Sequence, residues 1–201
     1  SPDTLERIYF HLWPNAYRNQ TTAFAQQMLR KGRQDFYFAK DSQLGNISKL
    51  DFKVDSIDIR WRLSREHQDI ALLTLNQPLP PNQNISISTP FVVKLPASFS
   101  RLGHIDESFQ ISQWYPKPAV YDKTGWHPMP YLEDGEFYSE FGSFDVEITL
   151  PKNYVVGATG ELVTPEEEQW LYELSESTRL YLDTFKYLSP FIEYEIGPES
   201  S

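Results

Sequence analysis

Residues 57–63 read IDIRWRL, and apolar and polar side chains alternate through all seven positions. Residues 144–150, FDVEITL, repeat this alternation, and shorter examples occur at residues 50–54 and 84–88. Side chains along a β-strand point alternately to the two faces of a sheet. The alternation therefore predicts antiparallel strands that bury one face and expose the other.

Further strands are predicted where apolar residues dominate. Residues 8–13 are apolar on both faces, which predicts a more buried strand that ends at Pro14. Residues 70–75 and 91–95 add two strands, and residues 55–56, Asp-Ser, predict a hairpin turn. Seven or more short strands favour a β-sandwich or an open, barrel-like pair of sheets.

Two helices interrupt the strand pattern. Thr21 or Thr22 can cap a short helix near the N-terminus, and Gly32 ends it. The sequence Thr-Pro-Glu-Glu at residues 164–167 combines an N-cap, a Pro at the first helical position and a capping-box Glu. We therefore predict a mainly β chain, an antiparallel β-sandwich, with one short helix near the N-terminus and a helical C-terminal segment.

Composition excludes several classes of partner. The chain has 201 residues, a formal net charge of −10 and no Cys. Because phosphate binding needs clustered Lys and Arg, this charge argues against nucleic acid and against an anionic membrane surface. No segment approaches the roughly 20 consecutive apolar residues of a membrane-spanning helix. We expect a folded protein of one large domain or two small ones.

The common catalytic signatures are missing from the sequence. None of the four His is followed by Glu, so the H-E-x-x-H zinc motif is absent, and there is no G-x-S-x-G turn. The acidic residues 133–136 and Glu140 contain oxygen ligands of the kind calcium prefers, but their spacing does not match an EF-hand. A solvated loop is the favoured interpretation. We predict no catalytic and no metal-binding residue in this chain.

Residues 111–131, ISQWYPKPAVYDKTGWHPMPY, contain two Trp, three Tyr, four Pro and one His. Prolines hold such a segment in extended or turn geometry. By residue type alone, ordinary core or interdomain packing explains the aromatic rings as well as a binding surface does. Gln113, likewise, is more often a hydrogen-bonding residue at a strand edge than a ligand-binding one.

Several motifs together resemble the aminopeptidase N family of zinc metallopeptidases. Residues 144–151, FDVEITLP, followed by residues 155–160, VVGATG, are similar to a strand pair near the end of that family's N-terminal β-domain. Residues 111–116, ISQWYP, stand where the family has an S-Q-x-[QE] segment. Residues 9–17 and 100–104 resemble a bacterial branch of the family.

The resemblance covers residues 5–175 and implies a domain organisation. Residues 1–163 would form a saddle-shaped N-terminal β-domain, and residues 164–201 would be a helical segment that leads towards a catalytic domain absent from this sequence. That catalytic domain would carry the family's H-E-x-x-H helix and its zinc. No cofactor is therefore expected in this chain itself.

The resemblance also implies a substrate-binding site at Gln113, Trp114 and Tyr115. In the family, the residue that corresponds to Gln113 helps to bind the free α-amino group of a peptide. Tyr115 stands where a second Gln or Glu is expected, and a phenol brings no negative charge at neutral pH. A cation–π contact with Trp114 or Tyr115 offers a partial substitute for that charge.

The resemblance therefore predicts a non-catalytic N-terminal domain of a zinc-dependent aminopeptidase that forms one wall of the peptide-binding cleft. Its expected partners are the downstream catalytic domain and a peptide substrate, with no nucleic acid and no membrane span. The bacterial branch implies an exported, cell-envelope or periplasmic location. The alternative is a free-standing β-sandwich module that binds carbohydrate or peptide through exposed aromatic rings. A purely structural, adhesion-type domain is a third interpretation.

Overall fold

The computed structural model describes residues 1–188, and it describes side chains as far as Asp183. Contacts divide the chain into two compact units, Ser1–Gly142 and Ser143–Ser201. The predicted domain boundary between residues 163 and 164 stays a prediction. In the described part of the chain, none of the helices combines the length and the apolar character that a membrane crossing requires.

Short strands make up most of the first unit. They are β1 (Leu5–His11), β2 (Asn46–Ser48), β3 (Lys53–Val54), β4 (Ile57–Asp58), β5 (Arg60–Leu63), β6 (Ile70–Leu79), β7 (Ile87–Ser88), β8 (Val92–Lys94), β9 (Gly103–Ile105), β10 (Ser108–Gln110), β11 (Lys117–Pro118), β12 (Val120–Asp122) and β13 (Gly125–His127). The first unit also contains helix α1 (Ala23–Arg30) and two 3₁₀ helices, Trp13–Tyr17 and Asp41–Gln43. Helix α2 (Pro165–Leu188) lies in the second unit.

The strands form several small antiparallel sheets. The largest has the order β11-β1-β6-β5, and a three-stranded sheet has the order β4-β3-β7. Strand pairs β10-β9, β12-β13 and β2-β8 complete the set among the described residues. The predicted fold class, mainly β with antiparallel sheets, one short N-terminal helix and a C-terminal helix, is confirmed.

Three local predictions are confirmed in atomic detail. Asp55 and Ser56 join β3 to β4 with positive φ angles of 49° and 69°, as a tight hairpin turn requires. Thr22, and not Thr21, caps α1, because its Oγ1 accepts a 3.2 Å hydrogen bond from the N–H of Ala25. Pro165 is the first residue of α2, and this helix continues beyond the residues where the sequence pattern becomes ambiguous.

The strand predicted at residues 144–150 is wrong. Neither this segment nor residues 155–160 forms a strand in the described part of the chain. The apolar side chains of the alternating pattern are exposed, Phe144 by 64% and Ile148 by 52%. Alternation makes one face suitable for burial, but a strand also needs a neighbour to which its backbone can hydrogen-bond. Residues 144–150 therefore have the alternating sequence of a strand but do not pair with another strand in the described part of the chain.

Two separate apolar cores lie within the first unit. One lies beneath β1, β5 and β6, and its buried members include Ile8, Phe10, Phe52 and Leu73. The other is built mainly from aromatic rings, those of Trp13, Tyr17, Phe24, Phe36 and Tyr131 among them. The chain passes from one core to the other directly after β1, since Leu12 belongs to the first core and Trp13 to the second. Packing in both cores therefore fixes the position of the residues at the end of β1.

Candidate functional site

The segment 111–131 is fixed to the first unit by a short strand. Strand β11 pairs with β1, so that Pro118 lies opposite Phe10 and Lys117 lies opposite His11. The N–H of Ala119 then donates a 2.8 Å hydrogen bond to the carbonyl of Tyr9. Pro118 is tolerated because β11 lies at the edge of its sheet, where a missing N–H costs least.

The second half of this segment packs on the unit to which it belongs. The rings of Trp126 and Tyr9 lie 5.7 Å apart, and those of Trp126 and Tyr121 lie 5.1 Å apart. Tyr131 is only 1% exposed and lies in the aromatic core. Ordinary core packing therefore accounts for the ring of Tyr131.

Gln113 adopts an uncommon backbone conformation. Its φ is +53°, in the left-handed region that residues with a Cβ rarely occupy. The side chain is half-buried, and its amide forms no hydrogen bond with another described residue. The residue before it is anchored, since Ser112 Oγ donates a 2.6 Å hydrogen bond to the carbonyl of Arg101. Strained conformations of this kind are found disproportionately at functional sites.

Trp114 and Tyr115 form a ring pair beside Gln113. Their centroids lie 5.5 Å apart with an interplanar angle of 71°, and Trp114 also contacts Phe91 at 5.7 Å. Both rings are half-buried. Partial burial raises the pKa of the Tyr115 phenol, so this group carries no charge at neutral pH. The indole and the neutral phenol of the predicted site therefore contact each other, and Gln113 precedes them in the chain.

Lys117 follows Tyr115 by two residues and was not among the predicted site residues. Its Nζ lies 5.5 Å from the centroid of the Trp13 ring and hydrogen-bonds to Ser139 Oγ. Burial lowers the pKa of this ammonium group. The pairing of Lys117 with β1 places the cation over an aromatic ring. The two prolines that flank Lys117 indicate a stiff backbone. They do not indicate that the ammonium group contacts Trp13.

His11 is the residue opposite Lys117, and its imidazole is completely buried. The ring stacks on Trp13 at 4.5 Å, and Nε2 accepts a 3.1 Å hydrogen bond from the N–H of Met129. Burial and, to a smaller degree, the charge of Lys117 lower the pKa of His11 to about 4, while the backbone of His127 opposes this shift. Because Nε2 is an acceptor, the neutral ring carries its proton on Nδ1, which is buried and has only a poorly aligned contact with the backbone of His127.

Asp69 and Tyr131 form a second buried polar contact. Asp69 Oδ2 accepts a 2.6 Å hydrogen bond from the N–H of Tyr131, and burial raises the pKa of Asp69 to about 6. The Tyr17 hydroxyl donates to the Tyr131 hydroxyl at 3.0 Å, and Ser100 Oγ lies 3.2 Å from the same oxygen. Burial raises the pKa of Tyr17 well above its ordinary value. These bonds fix the C-terminal end of the segment 111–131.

The acidic residues 133–136 use carboxylates for ion pairs. Glu133 Oε1 lies 3.2 Å from Arg33 Nη1, and Asp134 Oδ1 lies 2.6 Å from Lys31 Nζ. In the described part of the chain, no three His, Cys, Asp or Glu side chains come together as a metal site would require. The expectation of zinc in a downstream catalytic domain is a statement about other residues and stays a prediction.

A His, a carboxylate and a hydroxyl meet on the β12–β13 hairpin. His127 Nε2 lies 2.9 Å from Asp122 Oδ1 and 3.1 Å from Thr124 Oγ1, and Thr124 Oγ1 also donates to Asp122. Hydrogen bonds from Thr124 and His127 hold the pKa of Asp122 below its usual range. A catalytic triad needs the nucleophile and the carboxylate on opposite ring nitrogens. Here both share Nε2, so this trio closes the hairpin and cannot activate Thr124.

No protein-family model matches the chain, and neither does any curated protein or solved structure. The likeness to the aminopeptidase N family therefore remains a prediction carried by its motifs. The geometry at Gln113, Trp114 and Tyr115 is the independent observation that bears on function.

Proposed function

We propose that this chain is the non-catalytic N-terminal domain of a zinc-dependent aminopeptidase and that it forms one wall of the peptide-binding cleft. The observation that carries the proposal is the left-handed backbone of Gln113, whose amide forms no hydrogen bond with another described residue, directly before the ring pair of Trp114 and Tyr115 in the chain. The zinc ion of the downstream domain would activate the water that attacks the peptide carbonyl. This chain would position the substrate, in an exported or cell-envelope protein.

The amide of Gln113 is open to a ligand, because it forms no hydrogen bond with another described residue. The carbonyl oxygen of the amide accepts hydrogen bonds, which suits the α-ammonium group of a peptide. The anchored Ser112 and the left-handed φ of Gln113 define the backbone from which this side chain projects.

The rings of Trp114 and Tyr115 support a cation as that ligand. An ammonium group is attracted to the face of an indole or phenol ring within about 6 Å. The phenol of Tyr115 is neutral, so the site offers hydrogen-bond acceptors and ring faces in place of a carboxylate. Such a site binds an ammonium group less tightly than a charged one does.

Exposed apolar side chains precede the site in the chain. Ile105, Phe109 and Ile111 lie on or next to the β9–β10 hairpin and are 66%, 45% and 52% exposed. Phe109 pairs with His104 and Ile105 pairs with Ser108, so Ile105 and Phe109 lie on opposite faces of the hairpin and form no single patch. These side chains therefore favour neither face of the hairpin for a contact with another domain.

A free-standing carbohydrate-binding module has less support. Sugar-binding platforms present exposed ring faces, whereas the rings of Trp114 and Tyr115 are half-buried and stand at 71° to each other. Trp126 and Tyr131, which the alternative also needs, pack on the unit itself.

The deciding experiment is an aminopeptidase assay on two proteins, this chain and the chain extended through its natural downstream sequence. Each is assayed with and without a chelator, on peptides with free and acetylated N-termini. We expect chelator-sensitive activity on free N-termini in the extended protein only. If the extended protein shows no activity, or if its activity survives the chelator, the proposed function is wrong. Glycan and peptide arrays would then test the binding-module alternative.

A further inference from the structure

A cleft of about 340 Å³ lies in the first unit, between the first 3₁₀ helix, the end of β2 and strand β5. Its lining combines two cations, Arg18 and Lys49, with apolar surface from Leu50, Trp61 and Leu63. The volume is at the lower end of the range for small-ligand sites. No residue of the segment 111–131 lines it, so it is separate from the site at Gln113.

One side of the cleft is an unpaired strand edge. Strand β5 is the last strand of its sheet and pairs only with β6 among the described strands. The N–H of Ser64 donates to the carbonyl of Ile70, which makes residues 64 and 70 a hydrogen-bonded pair. Hydrogen-bonded pairs recur every second residue in an antiparallel ladder. The backbone groups of Trp61 and Leu63 therefore point away from β6, towards the open edge.

Strand β2, on the other side of the cleft, has a backbone N–H that is already hydrogen-bonded. The N–H of Ile47 in β2 donates a 3.1 Å hydrogen bond to Oδ1 of the buried Asn15. The residue that precedes β5 is also hydrogen-bonded on this side, since the N–H of Ile59 donates to the carbonyl of Phe52. The carbonyl of Leu63 accepts a 3.3 Å hydrogen bond from Arg62 Nη1. The backbone groups open to a ligand are thus the N–H groups of Trp61 and Leu63 and the carbonyl of Trp61.

The cations of the cleft have no acidic partner. Neither Arg18 nor Lys49 forms an ion pair with another described residue, although the chain as a whole carries a net charge of −10. Two carboxylates near this region are already occupied, because Lys53 lies 3.8 Å from Asp51 and 3.0 Å from Asp58. A negatively charged ligand would complement this local excess of positive charge.

The position of Arg18 suggests which end of a peptide carries the charge. Arg18 directly follows the first 3₁₀ helix, whose Asn15 donates a 3.0 Å hydrogen bond to the carbonyl of Gln68. Gln68 lies in the turn that follows β5, so Arg18 is near the Leu63 end of that strand. A peptide that pairs with β5 in the parallel direction would bring its last residue to this cation, because Leu63 is at the C-terminal end of the strand.

We propose that the cleft binds the C-terminal end of an extended peptide, which adds as a strand to the free edge of β5. Arg18 and Lys49 hold the terminal carboxylate, and the last side chain packs against Leu50 and Trp61. Main-chain hydrogen bonds to an exposed strand supply affinity in such complexes, while side-chain pockets supply selectivity. This inference uses no residue of the proposed peptidase site and stands or falls independently of it.

The test measures binding of fluorescein-labelled pentapeptides with varied last residues, each made with a free and an amidated C-terminus. We expect peptides with a free C-terminus and an apolar last residue to bind. Amidation should weaken that binding at least tenfold. Arg18→Gln and Lys49→Gln should each weaken it several-fold, whereas the matched controls Arg30→Gln and Lys123→Gln, exposed cations outside the cleft, should leave it unchanged.

Amide hydrogen exchange then distinguishes strand addition from simple anion binding. Peptide binding should slow exchange at the N–H groups of Trp61 and Leu63, and Arg18→Gln should reduce that protection at the same peptide concentration. No binding at millimolar peptide, equal binding of amidated peptides, or displacement by acetate alone without protection of these amides would each overturn the proposal.

Discussion

The backbone N–H of Tyr131 donates a 2.6 Å hydrogen bond to Oδ2 of Asp69, a carboxylate that is 4% exposed. The carbonyl of Asp69 also accepts a 2.7 Å hydrogen bond from the N–H of Leu12. Asp69 therefore joins the end of the aromatic segment 111–131 to the end of β1. His11 lies next to Leu12, so two buried titratable groups lie close to the same junction.

Asp69 makes the protein less stable as the pH rises. Its pKa is about 6 in the folded chain and 3.8 ordinarily, so the stability present below pH 3.8 is lost as the pH rises through 6. Asp69→Asn keeps an acceptor for Tyr131 and removes the titration. Between pH 4 and pH 7, the native protein should lose about 2 kcal/mol in its free energy of unfolding relative to the variant. Urea unfolding at both pH values measures this difference.

His11 has the opposite effect on the pH dependence. Its pKa is lowered from 6.5 to about 4, so its contribution is complete above pH 6.5 and is lost as the pH falls through 4. His11→Gln keeps an acceptor for Met129 but does not titrate. The native protein should therefore lose about 3 kcal/mol relative to this variant between pH 7 and pH 3.5. Equal slopes for the two proteins in urea unfolding would contradict a buried neutral His11.

The hydroxyls of Tyr17 and Tyr131 hydrogen-bond to each other, so the effects of removing them on the free energy of unfolding should not be additive. Tyr17→Phe leaves the buried Tyr131 oxygen with Ser100 as its remaining partner, which should cost about 1–2 kcal/mol. The variant Tyr17→Phe/Tyr131→Phe removes both hydroxyls. It should cost less than the sum of the single changes, since no partner is left unpaired. Tyr37→Phe, at a largely exposed ring, is the matched control and should change stability little.

The predictable parts of the fold are those that short segments determine. The turn at Asp55 and Ser56, the Thr22 cap and the start of α2 at Pro165 each depend on a few adjacent residues, and the sequence identifies them. The strand at residues 144–150 fails because pairing depends on a neighbour that periodicity does not reveal. Alternation can be read from one segment, whereas a sheet forms only when two segments hydrogen-bond to each other.

The buried network could not be predicted from local patterns. Asp69 and Tyr131 are 62 residues apart in sequence, and neither occupies a recognisable motif. The segment 111–131 has no apolar period, because its prolines interrupt both the helical and the strand repeat. Its aromatic residues could therefore not be divided in advance into buried ones such as Tyr131 and half-buried ones such as Trp114.

The strained backbone of Gln113 allows its conformation to be tested separately from its amide. Gln113→Gly and Gln113→Ala both remove the amide, but only Gly occupies a φ of +53° without strain. In this chain, Gln113→Gly should therefore be more stable than Gln113→Ala by about 1 kcal/mol. Thermal and urea unfolding measure the difference. Equal stability would show that the left-handed conformation is not retained in solution.

The same two variants test the role of the amide in the extended, active protein. If Gln113 binds the peptide α-amino group, both variants should lose about 1–3 kcal/mol in kcat/KM on peptides with free N-termini. Gln110→Ala, at an exposed position of β10, is the control and should retain full activity. A loss in Gln113→Ala that Gln113→Gly restores would assign the effect to backbone geometry. An unchanged kcat/KM in both would remove Gln113 from the substrate site, because neither its amide nor its backbone conformation would then affect the reaction.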